Sequence, residues 1–386
     1  MQQQGEVDGM KKRRLVKMAG AAVCIGLLVC AGLLLPGLRT GTERVPGLNA
    51  EERVLLRVWV VDAPGGGQAW LKGQLRQFER KHPGVATYLR SVTADALTEP
   101  GAILPDLVLY MPGDLSSPEI LFLPLSGQMT AREDGLIREE LLRCGRWRGA
   151  QYGLPLCWSA WVLAIDSALE PGSAATPAPT TLLGKPAATS AAGATPEPPY
   201  PLSAAAQTAC ALQSPGGAAL FTLGLLLAER PPVPDSFGTL TSAEVYAAFR
   251  KRQCATAMLT TGQATAFSSL TSAGSGFPFR IMTAEEVITD QVWLASVTAD
   301  SPRETALLLS WLTSADAQKA LSAQGLHTVR SDLSLYAAGM SAQVEQAGRR
   351  SLSAISAYAD RQAVHSAAWQ YFQGRMNLSE AMLPLL

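Results

Sequence analysis

The apolar positions of the chain begin with one long unbroken run. Met18–Leu38 (MAGAAVCIGLLVCAGLLLPGL) carries no charge over 21 residues, enough for a helix of about 30 Å, the thickness of a bilayer's hydrocarbon core. Thr40 to Glu52 is polar and contains Pro and Gly, the composition of a spacer. Leu55–Val61 (LLRVWVV) is then nearly continuous in apolar residues, the pattern of a buried parallel strand. After a turn over Asp62–Gly67, Leu71, Leu75 and Phe78 recur on one face of a helix predicted over Gln68–Lys81, which His82-Pro83-Gly84 stops. Val85–Val92 and the stretch from Pro105 to Tyr110 predict a second and a third strand. Strand, helix, strand with short links predicts a βαβ unit and an α/β fold.

The pattern changes further on. Arg148–Pro155 reads as a turn entering a strand, and Trp161–Asp166 (WVLAID) as an extended apolar run. From Pro171 to Pro201 the chain is mostly Ala, Pro, Thr, Gly and Ser, with too few large apolar residues to order itself. A helix is predicted over Ala218–Glu229. In the last third, Ser301-Pro302-Arg303-Glu304 has the form of a capping box with Pro at the first helical position, followed by Leu307, Leu308, Trp311 and Leu312. A short helix to Leu321 stops at Gly325, and Asn377 with Glu380 predicts a capped final helix. No internal repeat is visible.

Composition sharpens this picture. A chain of 386 residues, 47% hydrophobic and 17% charged, suits two lobes with a sizeable core. The formal net charge is zero, but Lys11, Lys12, Arg13, Arg14 and Lys17 stand against only Glu6 and Asp8 at the N-terminus. The remainder is mildly acidic, which gives no electrostatic footprint for nucleic acid. A basic flank before an apolar run holds the N-terminus in the cytoplasm and places the body outside it. The exit, PGLRTGTERV, offers no small-x-small cleavage site, which favours a retained anchor at the cell membrane with the main domain extracellular or periplasmic. Lipidation at Cys30 is the alternative, with Val29 standing where a small residue is wanted. Cys144, Cys157, Cys210 and Cys254 are not spaced as CxxC, which excludes a zinc ribbon or a thioredoxin-type motif. A Cys144–Cys157 bridge and buried free thiols both fit.

Enzyme signatures are missing. There is no GxSxG, HExxH or GxxxxGK[ST], and no EF-hand spacing. His82, His327 and His365 stand alone. The reading is therefore a non-enzyme without cofactor or metal. Gly65–Gly67 before a helix is a tight turn, or, less simply, a set of backbone N–H groups for an anion. Ligands of open α/β sheets bind beyond the carboxyl ends of the strands. Asp62, Tyr110, Trp158, Trp161 and Trp293 fall in or at the ends of predicted strands, where flat rings stack on sugars and polar groups take hydroxyls. Taken singly, a strand tryptophan is a core residue. Trp158 stands apart because Pro155, Cys157 and Ser159 around it break regular alternation. Asp106 reads as a structural strand-end residue.

The order of these segments resembles the extracellular solute-binding proteins of ABC importers, the maltose-binding-protein-like family. Val58-Trp59 closes an apolar strand, and Phe78-Glu-Arg-Lys-His-Pro-Gly-Val85 is similar to that family's F-x-K-x-x-P-G-V. Pro105-Asp106-Leu-Val, Tyr152-Gly-Leu-Pro155 with Val162–Asp166, and Phe249–Met258 with Gly262 follow in the family's order. Ser301–Gln318 with Gly325, and Phe372–Ala381, complete it. The resemblance implies a two-lobed, periplasmic-binding-protein-like (type II) fold with crossing hinge strands. On it, 1–17 is a basic leader, 18–38 the anchor or signal segment and 39–52 a linker. Lobe one is 53–165 with 290–328, and lobe two is 166–288 with 330–386. It further implies a small, sugar-like solute in the inter-lobe cleft and ABC permease subunits as partners. Where the family has a P-x-T-W-D-E-L helix, only Pro179-Thr-Thr-Leu182 remains before the Ala/Pro-rich run of 171–201, so lobe two is shortened. That departure admits an alternative, a degenerate binding protein that senses or scaffolds without delivering solute.

Overall fold

The computed structural model describes residues 53–99, 101, 103–125, 136–168, 208–209, 217–227, 240–299 and 301–386. The apolar N-terminal segment, its spacer, Cys210 and the Ala/Pro-rich stretch lie outside them. Val54–Leu386 forms one compact unit. Among the described residues, no helix is long and apolar enough to cross a membrane.

The first βαβ unit follows the hydrophobic pattern. Strand β1 (Val54–Val60) leads through the glycine turn to helix α1 (Gly67–Lys81), then to β2 (Val85–Ser91) and β3 (Leu107–Tyr110). α1 buries Trp70, Leu71, Leu75 and Phe78 on one side, the three-to-four spacing that a helix needs to cover a sheet. It starts at Gly66, whose φ of 84° a side chain would strain. Helix α2 (Glu139–Cys144) precedes a hairpin of β4 (Arg146–Trp147) and β5 (Ala150–Gln151). Arg148 and Gly149 both have positive φ, as the two-residue type I′ turn requires.

Next come β6 (Leu154–Trp158), β7 (Trp161–Asp166), β8 (Thr208–Ala209), helix α3 (Ala218–Leu226), helix α4 (Ser242–Arg250), β9 (Thr256–Thr260) and helix α5 (Thr261–Ser272). β10 (Phe279–Met282), β11 (Val287–Thr289) and β12 (Val292–Val297) follow, then helices α6 (Glu304–Leu312) and α7 (Ala315–Lys319) with a 3-10 turn over Ala320–Gln324. The chain ends with α8 (Gly339–Arg350), β13 (Leu352–Ala354), α9 (Arg361–Phe372) and α10 (Leu378–Met382).

Two main sheets result. The first runs β2-β1-β3-β12-β6, with β1, β2 and β3 parallel and β12 antiparallel to both its neighbours. The second runs β10-β7-β9-β8. Only Ser159 and Ala160 separate β6 of the first sheet from β7 of the second, and Asp290 and Gln291 carry the chain back from β11 into β12. These two crossings are tied together. Ser159 N–H donates to the Gln291 carbonyl, Thr289 Oγ1 donates to the Ser159 carbonyl at 2.6 Å, and Ser159 and Thr261 share a hydroxyl hydrogen bond of 2.8 Å.

Two local expectations fared differently. Asn377 and Glu380 form the reciprocal capping box. Ser301 does not cap: its Oγ donates to the carbonyls of Asp106 and Thr298, and the helix begins at Glu304. The serine fastens the helix to the base of β3 instead. Cys144 and Cys157 are buried free thiols, and Cys144 Sγ donates to the Ile355 carbonyl.

Trp158 and His327 exchange backbone hydrogen bonds in both directions, and their rings stack at 4.4 Å. His327 is 1% exposed, and neither ring nitrogen has a partner. Burial therefore pushes its pKa down to about 3. Between that value and the ordinary imidazole range the unfolded chain binds more protons than the native one, so stability is lost as pH falls below about 6.5. From pH 7 to about pH 4.5 this is expected to cost about 2 kcal/mol that His327→Phe does not lose. Urea midpoints at both pH values check it, and equal pH slopes for the two proteins would overturn it.

Candidate functional site

The carboxyl ends of β1 and β3 meet the start of α9. Asp62 follows β1, and its Oδ1 accepts the Ala63 N–H at 2.8 Å. After β3, the chain turns at Gly113, and Asp114 Oδ2 accepts the Met111 N–H at 2.8 Å. Arg361, the first residue of α9, places Nη2 3.3 Å from Asp114 Oδ1. Asp360 N-caps that helix by accepting the Ala363 N–H, and the Gly113 N–H donates to the Ala357 carbonyl, so α9 is pinned against the β3 loop.

The two carboxylates are held against their ordinary chemistry. Burial pushes the Asp114 carboxyl up to about 6. The Met111 N–H opposes that shift, the neighbouring Asp62 charge adds to it, and Arg361 opposes it. Asp62 is solvent-exposed, yet protein crowds it enough that burial is the first cause of its raised pKa, with the Ala63 N–H and Arg361 pulling the other way. Acids raised by burial and set beyond the carboxyl ends of strands make this corner a candidate functional site. Between the ordinary carboxylate range and about pH 6 the native chain binds more protons, so the Asp114 contribution falls as pH rises. Asp114→Asn is therefore expected to raise stability by about 1 kcal/mol above pH 7 and to be near neutral at about pH 4. Denaturant titrations at the two pH values measure this.

The sheets also touch on the side of the glycine turn. A Cβ on Gly262, in the first turn of α5, would lie 2.5 Å from the Gly65 carbonyl oxygen, and one on Gly66 would lie 2.8 Å from Gln324 Cβ. Gly262 thus lets the backbone after β1 rest on the helix that follows β9. Gln263 completes the capping box with Thr260 and donates to Ser242, which fixes this end of α5.

Of the five residues singled out from sequence, only Asp62 faces solvent. Tyr110, Trp158, Trp161 and Trp293 are 0–2% exposed, and their polar atoms are occupied by protein. Trp293 Nε1 donates to the Asp62 carbonyl, Trp158 Nε1 to the Thr328 carbonyl, and Trp161 Nε1 to Asp290 Oδ1, whose other oxygen accepts the Ala218 N–H at the start of α3. Tyr110 OH lies 2.8 Å from Ser296 Oγ and 2.6 Å from Tyr358 OH. In this arrangement the rings are covered by protein: Trp293 by Trp70 and the Gly67 turn, Tyr110 by Phe122 and Tyr358, and Trp158 by His327 and Gly348. They fix the frame that carries Asp62. Asp114, Arg361 and Gly262 were not singled out from sequence. The turn residues Pro112-Gly113, just past the third predicted strand, are the signal that could have pointed to Asp114. Asp106 is structural as expected, accepting from Arg57 N and its guanidinium. Among the described residues, no group of three His, Cys, Asp or Glu side chains is placed to hold a metal ion.

No family model matches the chain, and no curated protein matches it in sequence. Solved structures do match its fold. The GacH receptor of Streptomyces glaucescens, solved free and with acarbose, is 14% identical, with 86% of this chain and 97% of that one covered at a TM-score of 0.56. Maltose-bound MalE3 of T. maritima is 11% identical, covers 86% and 98%, and gives a TM-score of 0.57. Iron-bound HitA of Pseudomonas aeruginosa is 16% identical, covers 83% and 99%, and gives 0.53. The chain has the two-lobed, mixed α/β fold of solute-binding proteins. Since these neighbours carry sugars in two cases and iron in the third, the fold does not choose the ligand.

Proposed function

We propose that the chain is a solute-binding protein, held at a membrane by its N-terminal segment with its body outside the cytoplasm. It takes a small hydroxyl-rich solute, a sugar or oligosaccharide, between its two sheets and presents it to ABC permease subunits. The observation that carries this reading is the carboxylate pair Asp62 and Asp114 beside Arg361, at the strand ends where open α/β sheets bind ligands. Two acceptors and a guanidinium donor, drawn from both ends of the chain, suit hydroxyl groups that both give and take hydrogen bonds. The sugar-bound neighbours of the same fold support the class.

A thermal-shift screen of the full chain in detergent tests it. A saccharide at about 100 times its Kd is expected to add about 2.7 kcal/mol. Asp62→Asn should weaken that binding by at least about tenfold, the loss of one charged hydrogen bond, while leaving the unliganded protein at least as stable as before. A second reading, a sensor or scaffold whose cleft no longer takes a solute, is favoured by the Gly65–Gly262 backbone contact and by the internally satisfied indoles. Silence across sugars, peptides, anions and metal ions would select that reading over the first.

A further inference from the structure

The outward face of α1 carries Lys72, Arg76 and Arg80, spaced i, i+4, i+8 so that they form one stripe about 12 Å long. All three are exposed, and none has an ion-pair partner among the described residues. Three helical arginines elsewhere are paired, Arg143 with Glu139, Arg349 with Glu345 and Arg361 with Asp114, and Arg250 lies over the Tyr246 ring. The acid that α1 itself supplies, Glu79, is turned away, its Oε1 accepting both the N–H and the hydroxyl of Thr87 at 2.7 Å. The acids after β2, Asp95 and Glu99, follow the strand end that lies beside Gln68, at the opposite end of the helix. Like charges one turn apart repel, so the stripe costs helix stability that no internal contact offsets. Between Lys72 and Gln77, Gly73 adds no side chain and meets nothing within 4 Å. The face is flat as well as basic.

The place where the chain enters the body adds a second, independent observation. Val54 N–H donates to the Gly84 carbonyl at 2.9 Å, so the N-terminal segment joins the body beside the Arg80–Lys81 end of the stripe. Lys81 adds a fourth cation there, over the Trp311 ring at 4.3 Å. The spacer from Thr40 to Glu52 reaches at most about 45 Å, and the body's diameter is about 50 Å for a chain of this length. With the apolar segment held at a membrane as proposed above, Val54 and the end of the stripe beside it stay within about 45 Å of that surface.

We propose that the outward face of α1 is a docking surface for an anionic lipid bilayer, with Lys72, Arg76 and Arg80 set against lipid phosphates. The proposal rests on the membrane attachment proposed above. The cations act over about one Debye length, roughly 8 Å at physiological salt, so the tether's role is to bring them within it. Docking by α1 turns the face of the first sheet that this helix covers toward the bilayer and fixes how the solute site is presented.

The test uses the full chain reconstituted with bilayers of phosphatidylcholine alone or with phosphatidylglycerol, co-sedimentation, and acetylation of Lys72 followed by mass spectrometry. Lys251, exposed on the turn after α4, is the internal reference. With phosphatidylglycerol, Lys72 acetylation should slow at least about threefold relative to Lys251, and about 0.5 M salt should reverse the slowing. In the double variant Arg76→Glu, Arg80→Glu the slowing should vanish with the melting temperature no lower than the wild type's. Equal labelling on both bilayers, from a chain that sediments with both, would overturn docking and leave attachment standing. A chain that sediments with neither would overturn both.

Discussion

Trp158→Ala is expected to lower the free energy of unfolding by about 3–5 kcal/mol, the largest effect of any single change considered for this chain. The side chain is 1% exposed, stacks on His327, donates to the Thr328 carbonyl and lies under Gly348, where even a Cβ would come within 2.9 Å of its ring. Truncation opens a cavity at the crossing from β6 to β7 and orphans a buried carbonyl, so both halves of the cost fall on one site. Denaturant midpoints with an unchanged m-value measure it. The same variant, assayed at a temperature where it remains folded, separates a framework role from ligand contact. A framework indole leaves solute affinity within a few-fold, whereas wild-type stability with lost binding would show that the ring reaches the solute.

The second large effect is expected at Gly262. Gly262→Val places a branched side chain against the Gly65 carbonyl, where the first carbon alone would stand at 2.5 Å. Both sides of that contact are backbone, so no rotamer change relieves it, and overpacking of this kind costs about 1–3 kcal/mol. The protein can recover part of this by moving the sheets apart, which small-angle scattering would read as a larger radius of gyration. Gly73→Ala is the matched control. Gly73 lies inside α1 with nothing within 4 Å, so alanine should stabilise by about 0.5–1 kcal/mol through helix propensity and a smaller unfolded-state entropy. Opposite signs at two helical glycines would show that the contact, not the residue type, sets the outcome. A neutral Gly262→Val would mean that the sheets do not rest on each other there in solution.

These expectations depend on features that the sequence exposes unequally. The βαβ unit was legible because its information is local: an apolar strand, a three-to-four helical spacing, and stop signals at Pro83-Gly84. The Asn377–Glu380 box was legible for the same reason. Ser301 misled because a cap competes with tertiary partners, and the Asp106 carbonyl sits close enough to win its hydroxyl. Cys144 and Cys157 left two options open in sequence, and burial of each as a free thiol closed them. The resemblance to solute-binding proteins rested on the order of weak motifs, and the fold of the described residues agrees with it.

The tryptophans show where the local signal ends. Trp158, Trp161 and Trp293 lie in strands buried on both faces, and a strand that is apolar throughout does not say which of its side chains ends beside a ligand. The sequence by itself determined the α/β class, the first unit's elements, and the placing of Asp62 just beyond a strand, because each follows from spacing along the chain. Only the tertiary structure decided that four aromatic residues are frame and that Asp114 and Arg361 join Asp62. It also decided that Gly65 meets Gly262, almost two hundred residues away. Those facts depend on which surfaces two sheets bury when the chain crosses between them, and burial is a property of the assembled core.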